Sequence, residues 1–399
     1  MNNKKPPAFI LGMTVNGLSI LRTLGRKGII TYGVDYYANQ IGFFSRYCHH
    51  KIIVSNVNNE PLQALDKLLD IGKKLGDRPV LLFTRDDFLV FVSKFRNELE
   101  EYFLFNLPDP EIVDCIIDKR QLAKFAEQSE IQHPRTFAVD SLEQLLSIKS
   151  QLRYPVTLKP PKSHLSRGSG LWKGKKLLTA SDPDIMQKQF LEFTNVGIEV
   201  MIQEQVPGPE IDIYLYYAYY SKESKPLAIF TKRKLRQYPI HFGYGCANES
   251  VSVPEVVNLG QRLFDSMHYR GIGGVEFKRD SRDDTYQLIE VHGRTPMTGG
   301  IAIASGVDIP WIAYCDLIGE NIPLVHEFRE GVKWFNFEDD LAAYLMYRAN
   351  KELTFFNWIK SYRGKKVFAT FNLFDLRPFL KGFLPFIFRL FKSLFNIKK

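Results

Sequence analysis

The stretch that most narrows the choice of fold is the opening apolar run "AFILGMTVNGLSILRTLGRKGIITYGVD", residues 8–35. It reads as a buried strand, a glycine-containing turn, an amphipathic helix ending near Gly25 to Gly28, and a second strand ending at Asp35. Strands joined through a helix pair in parallel, because the crossover carries the chain back to the starting end of the sheet. "KIIVSN" and "PVLLFTRDDFLVFVSKF" continue the pattern. The expectation is an α/β, doubly wound parallel-sheet domain over residues 1–115. The glycines tempt one toward a dinucleotide site, but Thr14 stands between Gly12 and Gly17 where a second glycine should let a pyrophosphate approach. Thr84 to Asp87 lie at a strand's carboxyl end, where open α/β sheets place ligands; helix capping by Asp86 or Asp87 explains the acids equally well.

A chain of 399 residues has room for two or three domains, and 45% apolar with 24% charged residues is the balance of a soluble globular protein. Its net charge of +9 calls for an anionic partner without choosing one. The cysteines Cys48, Cys115, Cys246 and Cys315 are scattered, which suits reduced thiols in the cytoplasm better than a disulfide framework or zinc site. No signal peptide or membrane span is read. Prolines at "PDPEIVDC" mark a boundary; beyond them a helix carries Asp118 and Lys119, and the texture turns to strands with longer loops, an α+β region around a cleft over residues 116–325.

Within that region "LKPPKSHLSRGSG", residues 158–170, puts Lys159 at a strand end before a loop of serine, glycine and basic residues. Such a loop offers backbone N–H groups and positive charge to a polyphosphate, as a plain surface loop also does. Further on, "LIEVHGRTP" sets Glu290, His292 and Arg294 at every second position. Period two is the strand period, so these three share a face. Alone, this is a salt-bridged surface strand as readily as a site. Upstream, "GIGGVEFKRD" carries Glu276 in a strand, and a short loop joins it to the Glu290 strand. A hairpin brings the two carboxylates close enough to share divalent cations. Two acids, a lysine and a glycine loop outline a clamp for ATP and metal.

Taken in order, "NGLSILRTLGRKGI", "SRYCHH", "LPDPEIVDCIIDKRQLAKFAE", "YPVTLKP", "QVPGPEID", "FTKRKLRQYPIHFGYG" and "GIGGVEFKRD...YQLIEVHGR" resemble the ATP-grasp carboxylate–amine ligases, most closely the D-aspartate ligase-like branch. The resemblance implies a two-lobed ATP-grasp domain after the parallel-sheet domain. It implies phosphate-binding roles for Lys119 and Lys159, and a phosphate-covering loop from Ser163 to Gly170 that includes Ser166, Gly168 and Ser169. Gln203 would face the adenine amino group, the backbone of Glu204 and Val206 would pair with the adenine edge, and Glu210 would bond the ribose hydroxyls. Glu276, Glu290 and His292 would bind two Mg²⁺ or Mn²⁺ ions, with Arg294 following them. The implied reaction is attack of a carboxylate on the γ-phosphate of ATP, then capture of the acyl phosphate by an amine. Lys234 and Arg236, at alternate positions of a strand, are candidates for phosphate or the substrate carboxylate, against a solvated basic strand edge. Family members usually carry asparagine and proline where His292 and Gly293 stand; an imidazole favours manganese or later metals over Mg²⁺. A catalytically weakened ATP-binding scaffold is the alternative reading.

Residues 326–399 form a C-terminal extension ending in "LRPFLKGFLPFIFRLFKSLFNIKK". Ile387, Phe388, Phe391, Leu394 and Phe395 recur at helical spacing, with Arg389, Lys392 and Asn396 on the other side. This composition suits a helix on an anionic bilayer surface, through residues 376–399, or one docked on the protein's own body or at a homodimer interface. No nucleic-acid motif is present and the basic residues are dispersed.

Overall fold

The structure is a computed structural model that describes residues 5–161, 177–195 and 197–394. The chain opens with β1 (Ala8–Leu11), α1 (Val15–Arg26), β2 (Thr31–Asp35), β3 (His50–Ile53), α2 (Pro61–Leu75), β4 (Val80–Phe83), α3 (Asp86–Lys94) and α4 (Arg96–Glu100). Their strands make a parallel sheet in the order β3-β2-β1-β4, the parallel arrangement that the opening stretch leads one to expect. Glycine is required at the first turn on steric grounds: Gly12 has φ +96°, and a Cβ there would sit 2.4 Å from Thr84 Oγ1. Asp35 accepts from Met13 N at 2.8 Å and from Tyr37 N at 3.1 Å, so its carboxylate secures the turns rather than standing open at the strand end.

Helices α5 (Pro110–Ile117) and α6 (Lys119–Gln128) follow. Asp118 caps α6 by accepting from Arg120 N at 2.9 Å, which fixes Lys119 in the first turn. Next come β5 (Thr136–Val139), α7 (Leu142–Ile148), β6 (Val156–Lys159), β7 (Leu178–Ala180), α8 (Pro183–Thr194) and β8 (Val200–Glu204). They build a small antiparallel sheet, β5-β8-β6-β7, over its own core of Val156, Leu158, Met186, Phe190 and Ile202.

The remainder is β9 (Ile213–Tyr220), β10 (Pro226–Tyr238), β11 (Tyr244–Ser250), α9 (Pro254–Ser266), β12 (Gly271–Arg279), β13 (Tyr286–His292), α10 (Gly300–Ser305), α11 (Ile309–Leu317), β14 (Lys333–Phe335), α12 (Phe337–Ala349), α13 (Phe355–Ser361), β15 (Lys366–Phe368) and α14 (Arg377–Leu394). Its strands form a large sheet in the order β13-β12-β9-β10-β11-β14-β15. Every residue of β9, "IYLYYAYY", is buried because both faces are covered. Leu215, Tyr217 and Tyr219 join a core with β1, α1 and α11, while Tyr214, Tyr216 and Tyr220 pack with α9. The parallel sheet is thereby fastened to one face of the large sheet. Two strands from the expected extension, β14 and β15, belong to that sheet: β14 pairs with β11 and β15 with β14. Hydrophobic patterning does not reveal this, since strands of three residues are too short to carry a period.

Among the described residues no helix is long and apolar enough to cross a membrane. The inner side of α14 docks on the body: Phe379 stacks on Phe383 at 4.7 Å, and Phe383 lies 6.3 Å from Phe337 of α12. Of the tail positions singled out above, the side chains of Arg389, Phe391, Lys392, Leu394, Phe395 and Asn396 lie outside the described residues.

Candidate active site

Antiparallel register decides whether the two acids meet. Glu276 of β12 stands directly opposite Glu290 of β13, so both side chains leave the hairpin on one face. The same rung continues inward, with Leu215 of β9 opposite Glu276 and Lys232 of β10 opposite Leu215. Two carboxylates facing each other repel, and each has found a lysine. Lys234 Nζ donates to Glu276 Oε1 at 2.7 Å, and Lys119 Nζ approaches Glu290 Oε1 at 3.7 Å. Glu290 is the more open of the two, its side chain 41% exposed against 14% for Glu276.

The small sheet supplies the opposing wall. Lys159, at the end of β6, donates to Gln203 Oε1 at 2.6 Å, and Gln203 Nε2 donates to Thr136 Oγ1 at 2.9 Å. Burial, with Lys119 nearby and Glu290 only partly compensating, pushes the Lys159 ammonium down to about 7. Gln203 thus holds Lys159. The Glu204 carboxylate is turned inward to Arg153 N (2.9 Å) and Arg135 Nη1 (3.4 Å), and its backbone N–H is bonded to Arg135 O at 3.0 Å. Val206 is buried. Glu210 opens a single 3₁₀ turn before β9, where it accepts from His241 N at 2.7 Å and from the Tyr347 hydroxyl of α12. Ser166, Gly168, Ser169 and Gly170 lie outside the described residues.

Beyond the acids, His292 Nε2 lies 4.0 Å from Glu290 Oε2, and burial lowers its pKa despite that neighbour, favouring a neutral imidazole. Among the described residues no three His, Cys, Asp or Glu side chains are already gathered as a metal cluster. The donors nevertheless fit a hard divalent cation: two carboxylates on adjacent strands share a face, each held by a lysine that a stronger cation can replace. Arg294 reaches out of the hairpin to the parallel sheet, with Nε 2.8 Å from Asp86 Oδ1 and Nη2 3.3 Å from Oδ2. Asp86 therefore serves as the arginine's anchor rather than as a helix cap, and its carboxyl lies below the ordinary range because Arg294 outweighs the opposing effect of burial. Asp87 is shared between Arg85, Tyr36 and its neighbour Phe88 N.

The pair Lys234 and Arg236 is where the strand reading is corrected. Neither is a solvated edge residue: both are buried, and β10 lies between β9 and β11. Nor do they act together. The register slips after Lys234, which opposes Asn248, so that Arg236 opposes Ala247; this β-bulge re-aims Arg236. Its guanidinium binds Asp340 of α12 through Nε (2.7 Å) and Nη2 (3.1 Å), and Asp340 also accepts from Trp358 Nε1 (2.8 Å) and Tyr362 OH (2.5 Å). Lys232, passed over in the sequence, lies on the acid-bearing face; it donates to Asn248 Oδ1 at 2.7 Å and is pushed down to about 7 by burial and by Lys234. Its position two residues before Lys234 was the available signal.

No family model matches the chain. It is 23% identical over 260 residues to a D-aspartate ligase of Enterococcus faecium (strain Aus0004), covering 62% of this chain and 59% of the relative. The chain thus spans about three fifths of that relative's length. N5-carboxyaminoimidazole synthetase from Staphylococcus aureus superposes with a TM-score of 0.66 at 15% identity, covering 88% of each chain. The biotin carboxylase domain of Hydrogenobacter thermophilus 2-oxoglutarate carboxylase, solved with MgADP, ADP and bicarbonate, superposes with a TM-score of 0.63 at 14% identity over 82% of this chain and 73% of the other. A parallel sheet, a small antiparallel sheet and a large one that brings lysines and carboxylates together, with these structural likenesses, give the chain the ATP-grasp fold, and the sequence relative it resembles is a D-aspartate ligase.

Proposed function

We propose that this chain is an ATP-dependent carboxylate–amine ligase, forming an amide or peptide bond through an acyl phosphate and releasing ADP and phosphate. The observation that carries the reading is the convergence of Lys119 from the α6 start on Glu290, with Glu276 opposite and Lys159 electrostatically coupled to both Lys119 and Glu290. Cations on one wall and carboxylates on the other suit a triphosphate with divalent metal between them. Glu276 and Glu290, with His292 beside them, would hold two Mg²⁺ or Mn²⁺ ions, whose charge would offset that of the nucleotide phosphates. The MgADP bound by the 2-oxoglutarate carboxylase domain supports nucleotide and magnesium here.

The protein's own groups account for the rest. Lys119 and Lys159 meet the phosphates, and an incoming anion favours the ammonium form of Lys159. Lys234, bonded to Glu276, stands on the acid-bearing face, where its charge would be available to the transferring phosphoryl group if a metal took that carboxylate. With the Glu204 N–H already bonded, the adenine edge falls to the Glu204 carbonyl and the Val206 N–H. Glu210, held by His241 and Tyr347, has lone pairs left for ribose hydroxyls. Arg294, fixed by Asp86, faces the carboxyl end of the parallel sheet and orients the substrate carboxylate. Because Arg236 is committed to Asp340, it has a positioning role.

The test is to incubate the chain with ATP, Mg²⁺ or Mn²⁺, and a panel of amino acids and carboxylates, following ADP release and, with hydroxylamine present, hydroxamate formed from the acyl phosphate. Glu290→Gln should cut turnover by roughly 10³-fold or more. ATP binding without hydroxamate or ADP from any pair would favour the scaffold reading instead.

A further inference from the structure

A surface helix that only has to dock on its own protein needs one apolar side, and its other side is normally polar. Helix α14 departs from this. Pro378, Phe379, Gly382 and Phe383 face the body, where Phe379 also meets Phe371 at 5.2 Å and Gly382 lets the helix approach Glu338 of α12. Yet the opposite side carries Leu380, Leu384 and Phe388, the last two 62% and 78% exposed. These recur every fourth residue, so with Arg377 and Lys381 they occupy roughly 100° of arc. The approach to the helix adds Leu373 and Phe374, 73% and 70% exposed. Isolated exposed apolar residues are ordinary, whereas a continuous ridge of them indicates a covering partner.

Charge identifies that partner. Residues 351–399 contain 11 of the 53 lysines and arginines but 2 of the 44 acids, leaving 42 of each in the rest of the chain. The whole net charge of +9 therefore belongs to this segment. Of its two acids, Asp375 is buried and spent on Arg22 Nε (2.9 Å), Ser45 Oγ (2.7 Å) and Arg46 N (2.9 Å). Arg363, Lys365, Lys366, Arg377 and Lys381 are exposed, with Lys381 Nζ 4.8 Å from the Phe44 ring. We infer that the outer face of α14 and the turn before it form a docking surface for an anionic lipid bilayer. Leu373, Phe374, Leu380, Leu384 and Phe388 enter the headgroup boundary while the basic residues meet lipid phosphates. A second protein copy is disfavoured, because it would set two such basic segments against each other.

The full chain is floated with vesicles of phosphatidylcholine alone or with phosphatidylglycerol. It should rise with the anionic vesicles, stay behind with the neutral ones, and detach as salt increases. Leu384→Asn with Phe388→Asn, and separately Arg377→Gln with Lys381→Gln, should each lower the bound fraction roughly tenfold. These side chains are exposed, so an unchanged thermal midpoint certifies the fold. Absence of flotation on anionic vesicles, or flotation of both variants equal to that of the unaltered chain, overturns the inference. So does light scattering that finds a dimer split by the Leu384 and Phe388 substitutions with no vesicle binding. Partition is measured without turnover, so failure here leaves the ligase reading intact.

Discussion

The two walls of the cleft treat charge in opposite ways. On the large sheet Lys234 and Arg236 are matched at short range by acids, Glu276 and Asp340, while Lys232, held by the Asn248 amide and pushed down to about 7, is the exception. On the small lobe Lys159 has a neutral amide, that of Gln203, for its nearest partner. A buried ammonium without an adjacent carboxylate is costly, which is why Lys159 is driven down to about 7. The contrast separates scaffold from receiver. Paired groups hold the sheet in register, while under-compensated ones gain most from an arriving polyphosphate.

Breaking a paired group should have the largest effect. Asp340→Ala strands the Arg236 guanidinium in a buried site and removes the acceptor of Trp358 and Tyr362. A loss of about 3–5 kcal/mol in urea unfolding is expected. Lys234→Met strands Glu276 in the same way and should also destabilise, but less, because Glu276 is 14% exposed where Asp340 is fully buried and Asp340 has two further donors; a loss as large as that of Asp340→Ala would remove this ordering.

The small lobe is probed by pH. Lys159 is lowered from 10.5 to about 7, so between those values the folded chain without nucleotide binds fewer protons than the unfolded chain. Its contribution to stability therefore rises with pH from 7 toward 10, the charge-burial penalty being present in full below 7. Phosphate binding needs the charged form, so ATP affinity should fall above pH 7, by up to about tenfold per unit for one linked proton. Lys159→Met should bind ATP roughly 10- to 100-fold more weakly and flatten that part of the profile. Calorimetry from pH 6.5 to 9 measures both, and a parallel slope in the variant would place the linkage elsewhere, with Lys232 the next candidate.

The smallest effect concerns the metal. His292, neutral and beside Glu290, should make Mn²⁺ at least as effective as Mg²⁺, and His292→Asn should shift the ratio several-fold toward Mg²⁺. Better activity with Mg²⁺ than with Mn²⁺, by the same ratio before and after the substitution, would remove the imidazole from the metal's surroundings.

Several of these features were readable in advance. Alternation in "LIEVHGR" and a short hairpin loop bring Glu276 and Glu290 near each other, but the register running from the turn would set Glu276 opposite Ile289; a shift between Phe277 and Glu276 places it opposite Glu290 instead. The same alternation misled at Arg236, where one bulge residue breaks the period. Asp86 was visible at a strand end but not as the partner of Arg294, 208 residues away. Asp340 and Tyr347 gave no signal, since nothing local ties α12 to β10 or to Glu210.

By itself the sequence determined the parallel opening sheet, the shared face of Glu290, His292 and Arg294, and the residue chemistry of the site, all of which follow from local period and short connections. Only the tertiary structure decided which charges are spent and which remain for a ligand. That choice depends on distances between elements far apart in the chain, and on burial, which strengthens a charge's attraction to a partner and raises its cost without one.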